Sequence, residues 1–325
     1  MSAAMLSQEA LDARAAFTRA FAQEADWLGQ DELVQQGWDE ILVEDPKLAV
    51  ESLFSAQGGR VAASPALDLL IASALGDEVW KAVRDGARVT LPFSRTPLEL
   101  ESGDMTGYSA AAPTELVALR SRGVHLYSVT AGLRTEAVTS LDQTVTFHRV
   151  VEWGVAQHVA DLDSHQAEHA AALAHLGLAY EAVACVESML ELTMATAGSR
   201  MVYGQPLTQY QVVKHQLATV YEALVAAHCA LGEAWRDLSV IGALLGREAV
   251  GRAVMMATSI CPQVCGGMST TLEFAMHRYV RRTLMNITLF GTPRTRTTAI
   301  GSHITHTGEV PRFRVPHEIS FEVAP

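Results

Sequence analysis

The second half of the chain carries a long apolar stripe at helical spacing, and this stripe limits the folds that the chain can adopt. Its members are Val213, Leu217, Val220, Leu224, Leu231 and Trp235. Their spacing predicts a helix of roughly thirty residues with one apolar face. Such a face must be buried against other helices, and long helices of this kind pack as bundles. We therefore predict a helical bundle over residues 153–300.

The preceding residues divide into two parts with different patterns. Residues 1–86 favour helices: Ser7 can cap a first helix, and Ser64-Pro65 opens another that Gly76 closes. From Ala87 onward, short runs rich in β-branched and aromatic residues alternate with turn residues, namely RVTLPF, GVHLYSV and QTVTFHRVV. The predicted fold class is therefore mainly α with a small β domain: an N-terminal helical domain over 1–86, a β domain over 87–152, the bundle and a C-terminal tail over 301–325.

Charge excludes some classes of ligand and leaves others open. The chain has 325 residues, of which 49% are hydrophobic, and a net charge of −12. This charge argues against non-specific binding to nucleic acid or to an anionic membrane, because both depend on clustered cations. An anionic ligand could still bind locally, since residues 277–296 contain no Asp or Glu and five arginines, Arg278, Arg281, Arg282, Arg294 and Arg296.

The N-terminus and the cysteines indicate a cellular compartment. The segment MSAAMLSQEALDARAAF lacks the basic start and apolar core of a secretory signal, so we predict a cytoplasmic protein. The four cysteines show no paired CxxC spacing, which favours reduced and mostly buried thiols over disulfides or a zinc site. His303 and His306 would need a further ligand to hold a metal, so no metal site is predicted.

Two segments carry the functional signal. The first, SRMVYGQPLTQYQVVKHQLA, places Arg200 and a Gly-containing turn between two long helices. The second, QVCGGMSTTLEFAMHRYVRR, places Gly266-Gly267 before a helix predicted over 271–289. An arginine beside such a turn can bind a pyrophosphate, and paired glycines let backbone N–H groups approach an anion.

Together these segments resemble the acyl-CoA dehydrogenase family, which has Arg-x-x-Phe-Gly-x-Pro-Ile, then a Gln, and later Gln-x-x-Gly-Gly-x-Gly-x-Thr-x-Glu. The matching residues are Arg200, Tyr203, Gly204, Pro206, Leu207 and Gln211 in the first motif and Gln263, Gly266, Gly267, Thr271 and Glu273 in the second. The resemblance implies an N-terminal helical domain, a middle β domain, a C-terminal four-helix bundle and FAD as the cofactor. It also implies that Arg200, Tyr203, Gln211, Gln263, Gly266 and Gly267 hold the pyrophosphate and adenosine part of a neighbouring subunit's FAD.

The departures from the family concern the catalytic base. Many members have a Glu-Gly pair after the last bundle helix, where this chain has Phe290-Gly291, and others place the glutamate at a position that corresponds here to Ala174. Neither residue can accept a proton. Glu181, seven residues after Ala174 on the same helical face, is a candidate for a relocated base. Two further differences are Ser269 at the third glycine of the motif, and LPFSRTPLELESGD, which barely resembles the flavin-lining segment.

The resemblance therefore implies the shorter subunit of a two-gene, heterotetrameric acyl-CoA dehydrogenase, of the kind found in bacteria that degrade steroid side chains. A homologous partner would supply the catalytic glutamate, the substrate would be an acyl-CoA thioester, and an electron-transfer flavoprotein or a similar acceptor would take the electrons. Two alternatives stay open: a homomeric enzyme that uses Glu181, and a flavin-free structural subunit.

Each motif also has a purely structural interpretation. Arg200 could cap a helix C-terminus, and Gly266-Gly267 could form an ordinary turn. Thr208-x-x-Gln211 reads as a capping box at the start of the next helix. Glu187 and Glu191 are typical of a solvated helix face.

Overall fold

The N-terminal part of the computed structural model is helical. The structure describes residues 7–91, 105–106, 113–120 and 124–311. The first helices are α1 (Gln8–Gln23), α2 (Gln30–Gln35), α3 (Trp38–Glu44), α4 (Pro46–Arg60), α5 (Ala66–Ser73) and α6 (Asp77–Arg84). Ser7 caps α1 as predicted, because its side chain accepts a hydrogen bond from the Ala10 N–H. Pro65 precedes α5, which ends at Ser73, slightly before the predicted Gly76.

A single sheet follows, with strand order β5-β6-β2-β1-β3-β4-β7 in the described residues. The strands are β1 (Arg88–Leu91), β2 (Met105–Thr106), β3 (Leu116–Arg120), β4 (Val124–Ala131), β5 (Arg134–Val138), β6 (Phe147–Glu152) and β7 (Val155–Leu162). The pair β1 and β3 is parallel, and the other neighbours are antiparallel. All three predicted runs contain strands, whereas residues 92–104 of the weakly matching flavin-lining segment lie outside the described residues.

The sheet extends beyond the boundary predicted at residue 152. Strand β7 pairs with β4 along its length, from Val155 to Leu162. Its side chains at Val155, Gln157 and Asp161 are exposed, so the strand lacks the alternation of apolar and polar residues that reveals a half-buried strand. The helical bundle consequently begins later than predicted.

The C-terminal part is the predicted bundle. It consists of α7 (Ser164–Ser199), α8 (Gln211–Asp237), α9 (Val240–Cys265), α10 (Met276–Asn286) and α11 (Pro293–Thr307), with a short hairpin of β8 (Met201–Val202) and β9 (Gln205–Pro206) between α7 and α8. The stripe on α8 is confirmed, because Val213, Val220, Leu224 and Leu231 are buried.

Two boundaries in the bundle differ from the prediction. Helix α10 begins at Met276 instead of residue 271, since a 3-10 turn at Gly266–Thr270 precedes it. Helix α11 runs through the boundary predicted at residue 300, with Thr292 as its N-cap. Its buried residues are Arg296 and Ile300, and so small an apolar face gives little periodicity in the sequence.

Helix α7 forms the centre of the molecule. It is long and apolar enough to cross a membrane by length and composition, but 94% of its most apolar window is buried by the rest of the protein. Helix α4 crosses it closely at Gly58, where a Cβ atom would lie 2.1 Å from the Glu181 carbonyl oxygen. Glycine therefore allows the N-terminal helices to pack directly on the bundle.

Buried charges connect all three parts of the chain. The fully buried guanidinium of Arg282 donates to Asp142, to Glu181 (2.6 Å) and to the Ala62 carbonyl (2.6 Å). Arg296 is also buried and pairs with Glu248 at 2.7 Å. Two of the five arginines of residues 277–296 are therefore not available to an anion at the surface, because carboxylates that are distant in the sequence neutralise them inside the fold.

A further buried carboxyl predicts a pH dependence of stability. Asp68 lies 3.2 Å from Arg88, yet burial outweighs this charge and raises the pKa of Asp68 from 3.8 to about 6. The folded state thus binds this proton more tightly than the unfolded state, so the stabilisation is present below pH 3.8 and is lost as the pH rises through about 6. In urea denaturation, the free energy of unfolding should decrease by about 3 kcal/mol over this pH range because of this group. In the Asp68→Asn variant, the free energy of unfolding should change less with pH. A pH dependence equal to that of the wild type would contradict the assignment.

Candidate functional site

Arg200 stands at the end of the central helix. It is the C-cap residue of α7, and its N–H donates to the Thr196 carbonyl at 3.1 Å. Its exposed side chain turns toward the end of α9, where Nη1 lies 3.4 Å from the Cys265 carbonyl oxygen. Arg200 thus combines the predicted capping position with a contact to the second motif.

The hairpin after Arg200 presents Tyr203 to solvent. Tyr203 and Gly204 form its tip with φ values of 45° and 84°, a combination typical of type I′ turns. The Tyr210 hydroxyl donates to the Val202 carbonyl at 2.7 Å, and the Leu207 N–H donates to the Arg200 carbonyl at 2.9 Å. The hairpin is therefore held at its base while the Tyr203 ring is 97% exposed.

The glycine pair meets Arg200. Gly266 ends α9 with φ 71° and ψ −154°, a conformation that is essentially restricted to glycine. A Cβ atom on Gly266 would lie 3.1 Å from Arg200 Nη1, whereas one on Gly267 would have no heavy atom within 4 Å. We call Arg200, Gly266 and Gly267 the cradle. It offers a guanidinium and exposed glycine backbone at one surface, which is suitable for an anion.

A small apolar cluster supports the cradle from beneath. It joins the ends of three helices through Ala197 of α7, Val213 of α8 and Val264 of α9. Leu207 and Tyr210 from the connecting segment pack against these residues. The two motifs are therefore fixed relative to each other by packing.

The remaining predicted cofactor residues lie at helix ends. Gln263 lies on the last turn of α9 and Gln211 is the first residue of α8, and both are exposed. The capping box predicted for Thr208 and Gln211 is wrong. Helix α8 has Tyr210 as its N-cap, without a side-chain hydrogen bond, so Gln211 stands at the first helical position and not at the third.

The two positions expected for a catalytic base are buried in the core. Phe290 is 2% exposed, and its ring meets the His175 ring edge-on with centroids 5.8 Å apart. Ala174, next to His175, is fully buried. The turn that carries Phe290 is fixed by Arg296, whose Nη1 donates to the carbonyls of Ile287 at 2.8 Å and Gly291 at 2.5 Å.

Hydrogen bonds in the core hold the carboxylate of Glu181, the candidate for a relocated base. It is fully buried, with one carboxylate oxygen 2.6 Å from Arg282 Nη1 and the other 3.3 Å from Asn286 Nδ2. A carboxylate bonded in this way holds α7 to α10.

Glu187 does not lie on a solvated helix face, so that prediction is wrong. It is only 4% exposed and accepts from Arg14 at 2.9 Å, and its other oxygen lies 2.9 Å from His228 Nε2. It therefore joins α1, α7 and α8, whereas Glu191 is exposed as predicted.

Sequence patterns missed the Cys265 carbonyl as the acceptor for Arg200, since backbone groups give no signal of their own. The described residues contain no group of three or more His, Cys, Asp or Glu side chains that could hold a metal. Three of the cysteines are buried as predicted, but Cys229 is exposed.

Comparison with known families and curated proteins gives partial matches. Residues 165–305 match the family model described as acyl-CoA dehydrogenase, C-terminal domain. Acyl-CoA dehydrogenase IpdE2 of Mycobacterium tuberculosis is 32% identical over 117 residues, which cover 36% of this chain and 37% of that protein. The chain thus spans little more than a third of the length of this relative.

Solved structures share the fold over almost the whole chain. The ChsE4-ChsE5 complex of Mycobacterium tuberculosis aligns with a TM-score of 0.68 and 17% identity, covering 94% of this chain and 99% of that chain. A variant described as the Tcur3481-Tcur3483 steroid ACAD aligns with a TM-score of 0.70 and 18% identity, covering 93% and 99%. A glutaryl-CoA dehydrogenase from Mycobacterium smegmatis in complex with FADH2 gives 0.72 and 18%, covering 95% and 97%. The predicted fold class is therefore confirmed.

Proposed function

We propose that this chain is the FAD-associated subunit of a heteromeric acyl-CoA dehydrogenase, because residues 165–305 match the C-terminal domain of acyl-CoA dehydrogenases and the fold is shared with solved structures of that kind. The enzyme introduces an α,β double bond into an acyl-CoA thioester. This chain contributes to a flavin site that a homologous partner subunit completes. The observation that carries the proposal is the contact between Arg200 and Gly266, which joins the two motifs at an exposed surface.

The residues of the cradle fit a dinucleotide. Arg200 offers a planar set of donors that matches phosphate oxygens, and the space above Gly267 allows a phosphate to approach the backbone. The exposed ring of Tyr203 offers a flat apolar surface beside this charge. Because these groups face solvent in the single chain, a second subunit is needed to enclose the cofactor.

The proton acceptor is assigned to the partner subunit. Removal of the α-proton from a thioester requires a carboxylate within hydrogen-bond reach. Phe290 and Ala174 offer none, and Glu181 is engaged by Arg282 and Asn286. Bound FAD supplies the two-electron acceptor. The role of this chain is then to hold the cofactor's charged portion through Arg200, Gln211, Gln263 and the glycine turn.

The descriptions of the relatives support a proposal for the substrate class. The Tcur3481-Tcur3483 protein is described as a steroid ACAD, and both it and the ChsE4-ChsE5 complex pair two named chains. We therefore propose a bulky, steroid-like acyl-CoA as the substrate of this chain. An electron-transfer flavoprotein or a similar acceptor and a cytoplasmic location are proposed separately, from the family resemblance.

Replacing Gly267 with alanine tests the cradle. The added methyl group meets no atom of this chain, so the melting temperature should stay unchanged. If a phosphate approaches the backbone here, the Kd for FAD should rise about tenfold, which corresponds to about 1.4 kcal/mol. The measurement is FAD titration of the complex that copurifies with the tagged full chain, after removal of its flavin.

Gly301→Ala provides the matched control, because Gly301 on α11 is likewise in open space. It should leave FAD affinity at the wild-type value. Wild-type affinity in Gly267→Ala would contradict a phosphate at the cradle. A purified homomer that contains FAD and oxidises acyl-CoA without any other subunit would contradict the partner assignment.

A further inference from the structure

We propose that a groove at one end of the bundle binds a segment of this same chain, residues 312–316, whose sequence is RFRVP. The groove lies where α8 ends, α9 begins and the chain leaves α11. It is separate from the cradle, which stands at the opposite end of α9, beside the start of α8. The inference goes beyond the proposed function and does not depend on FAD.

The groove is large and partly apolar. Its volume is about 1070 Å³, and its apolar lining from α8 and α9 comprises Ala234, Ile241, Gly242 and Leu245. Ile241 and Leu245 are four residues apart, so they lie on the same face of α9. Both are only partly buried and therefore still expose apolar surface to water. An occupant with apolar side chains would remove this surface from water, which is favourable.

The charged lining of the groove is acidic. It consists of the carboxylates of Glu233, Asp237 and Glu309 and one arginine, Arg236, which is an excess of two negative charges with histidine counted as neutral. Arg236 pairs with Glu233 at 3.3 Å. In the part of the chain that the structure describes, no cation forms an ion pair with Asp237 or Glu309. The groove therefore favours an occupant that combines positive charge with apolar side chains.

The end of α11 directs the chain along the groove. Helix α11 ends at Thr307, and its C-cap Gly308 adopts φ 69°, a left-handed conformation that turns the backbone away from the helix. Residues 309–311 then line the groove. The fourteen residues that follow, 312–325, lie outside the described residues. The first of them is nevertheless bonded directly to a residue of the groove wall.

The sequence of residues 312–316 matches the groove in charge and in pattern. It contains Arg312 and Arg314 and no acidic residue. Successive side chains of an extended segment point to opposite sides, so the two arginines would share one side while Phe313 and Val315 share the other. One side then suits the carboxylates and the other the apolar lining. A separate molecule would lose translational and rotational freedom on binding, whereas this segment is already attached, which favours the same chain as the occupant.

Disulfide trapping tests the contact. The full chain carries Leu245→Cys and Phe313→Cys together with Cys229→Ser, which removes the exposed native thiol and leaves three buried ones. Mild oxidation of the complex with which the chain purifies should link positions 245 and 313, as detected by mass spectrometry of the peptides. The matched control replaces Leu245→Cys with Ser259→Cys, an exposed position about 21 Å further along α9, and should give no link.

The size of the linked product identifies the occupant. A link within a product that has the mass of one chain supports the proposal. The same link in a product of twice that mass would assign the groove to a second copy, and a link from position 313 to a different subunit would direct the segment elsewhere; either result overturns the proposal. Absence of a link, or an equal yield in the control with Ser259→Cys, would overturn it as well.

Charge reversal tests the recognition without changing the apolar lining. In the chain with cysteines at positions 245 and 313, Arg312→Glu and Arg314→Glu together should lower the yield of the link about fivefold, since they replace two exposed attractions by repulsions. Adding Asp237→Arg and Glu309→Arg restores opposite charges and should recover the yield. An unchanged yield after the first pair of reversals, or no recovery after the second, would overturn the proposal. FAD content should equal that of the wild type throughout, because the cradle lies at the other end of α9.

Discussion

Replacing Arg282 with methionine should lower the free energy of unfolding by about 3–5 kcal/mol, as expected when one member of a buried ion pair is removed. Asp142 and Glu181 would remain buried without their shared cation, and the carbonyl of Ala62 would lose a donor. Methionine retains much of the arginine's apolar length, so loss of charge and not loss of volume dominates. Urea denaturation of the full chain at neutral pH measures the effect.

The adjacent Arg281→Met variant is the control. Arg281 is partly exposed, and substitutions at such positions usually change stability by about 0.5 kcal/mol or less. If Arg282→Met were as stable as Arg281→Met, the three parts of the chain would not depend on this buried charge. Loss of stability confined to one part, seen as separate transitions for the sheet and the bundle, would also contradict a role that connects them.

The buried charges explain where sequence reasoning failed. Arg282 and Asp142 are 140 positions apart, and Arg14 and Glu187 are 173 apart. No local pattern reports such pairs, because charge, spacing and helix propensity are the same for a solvated carboxylate and a buried one. Glu187 consequently reads as a surface residue, and Glu181 as a free carboxylate, until the helices are packed.

Local signals were reliable where one physical requirement dominates. The stripe on α8 requires a buried face, and Val213, Val220 and Leu224 indeed lie inside. Ser7 satisfies a free N–H at the start of α1. The sequence did not predict strand β7 and helix α11, because each buries few of its described side chains. Their sequences therefore show little alternation or helical periodicity.

The candidate site could be predicted from the sequence for a different reason. Its residues are separated by 65 positions, Arg200 from Cys265, yet each lies within a short motif with its own conformational requirement. Gly266 needs φ of 71°, and Gly204 needs 84°. Such requirements are visible in the sequence as glycines, whereas a buried ion pair has no local sequence pattern. The contact between the motifs, however, depends on how α7 and α9 end, and only the structure shows it.

Replacing Arg200 with methionine should raise the Kd for FAD by about 10- to 100-fold, because hydrogen bonds to charged groups contribute about 1.5–3 kcal/mol. The wild-type affinity should also decrease with added salt, and this dependence should be weaker in the variant. The stability of the chain should change little, since the Arg200 side chain is exposed and its bond to the Cys265 carbonyl is long at 3.4 Å. Fluorescence titration of the flavin-depleted complex provides the Kd, and thermal denaturation provides the stability.

Two further variants separate the functional role of Arg200 from a helix-capping role. Arg200→Lys retains the charge but not the planar set of donors, so it should bind FAD with intermediate affinity. Arg236→Met removes an exposed arginine at the opposite end of α8 and should leave FAD binding unchanged. If Arg200 served only the end of α7, Arg200→Met would lower the melting temperature and leave the Kd unaltered, because a cap stabilises the helix whether or not a dinucleotide is present. Equal losses of affinity in Arg200→Met and Arg236→Met would instead indicate a general effect of net charge and would remove the cradle as the site of the phosphates.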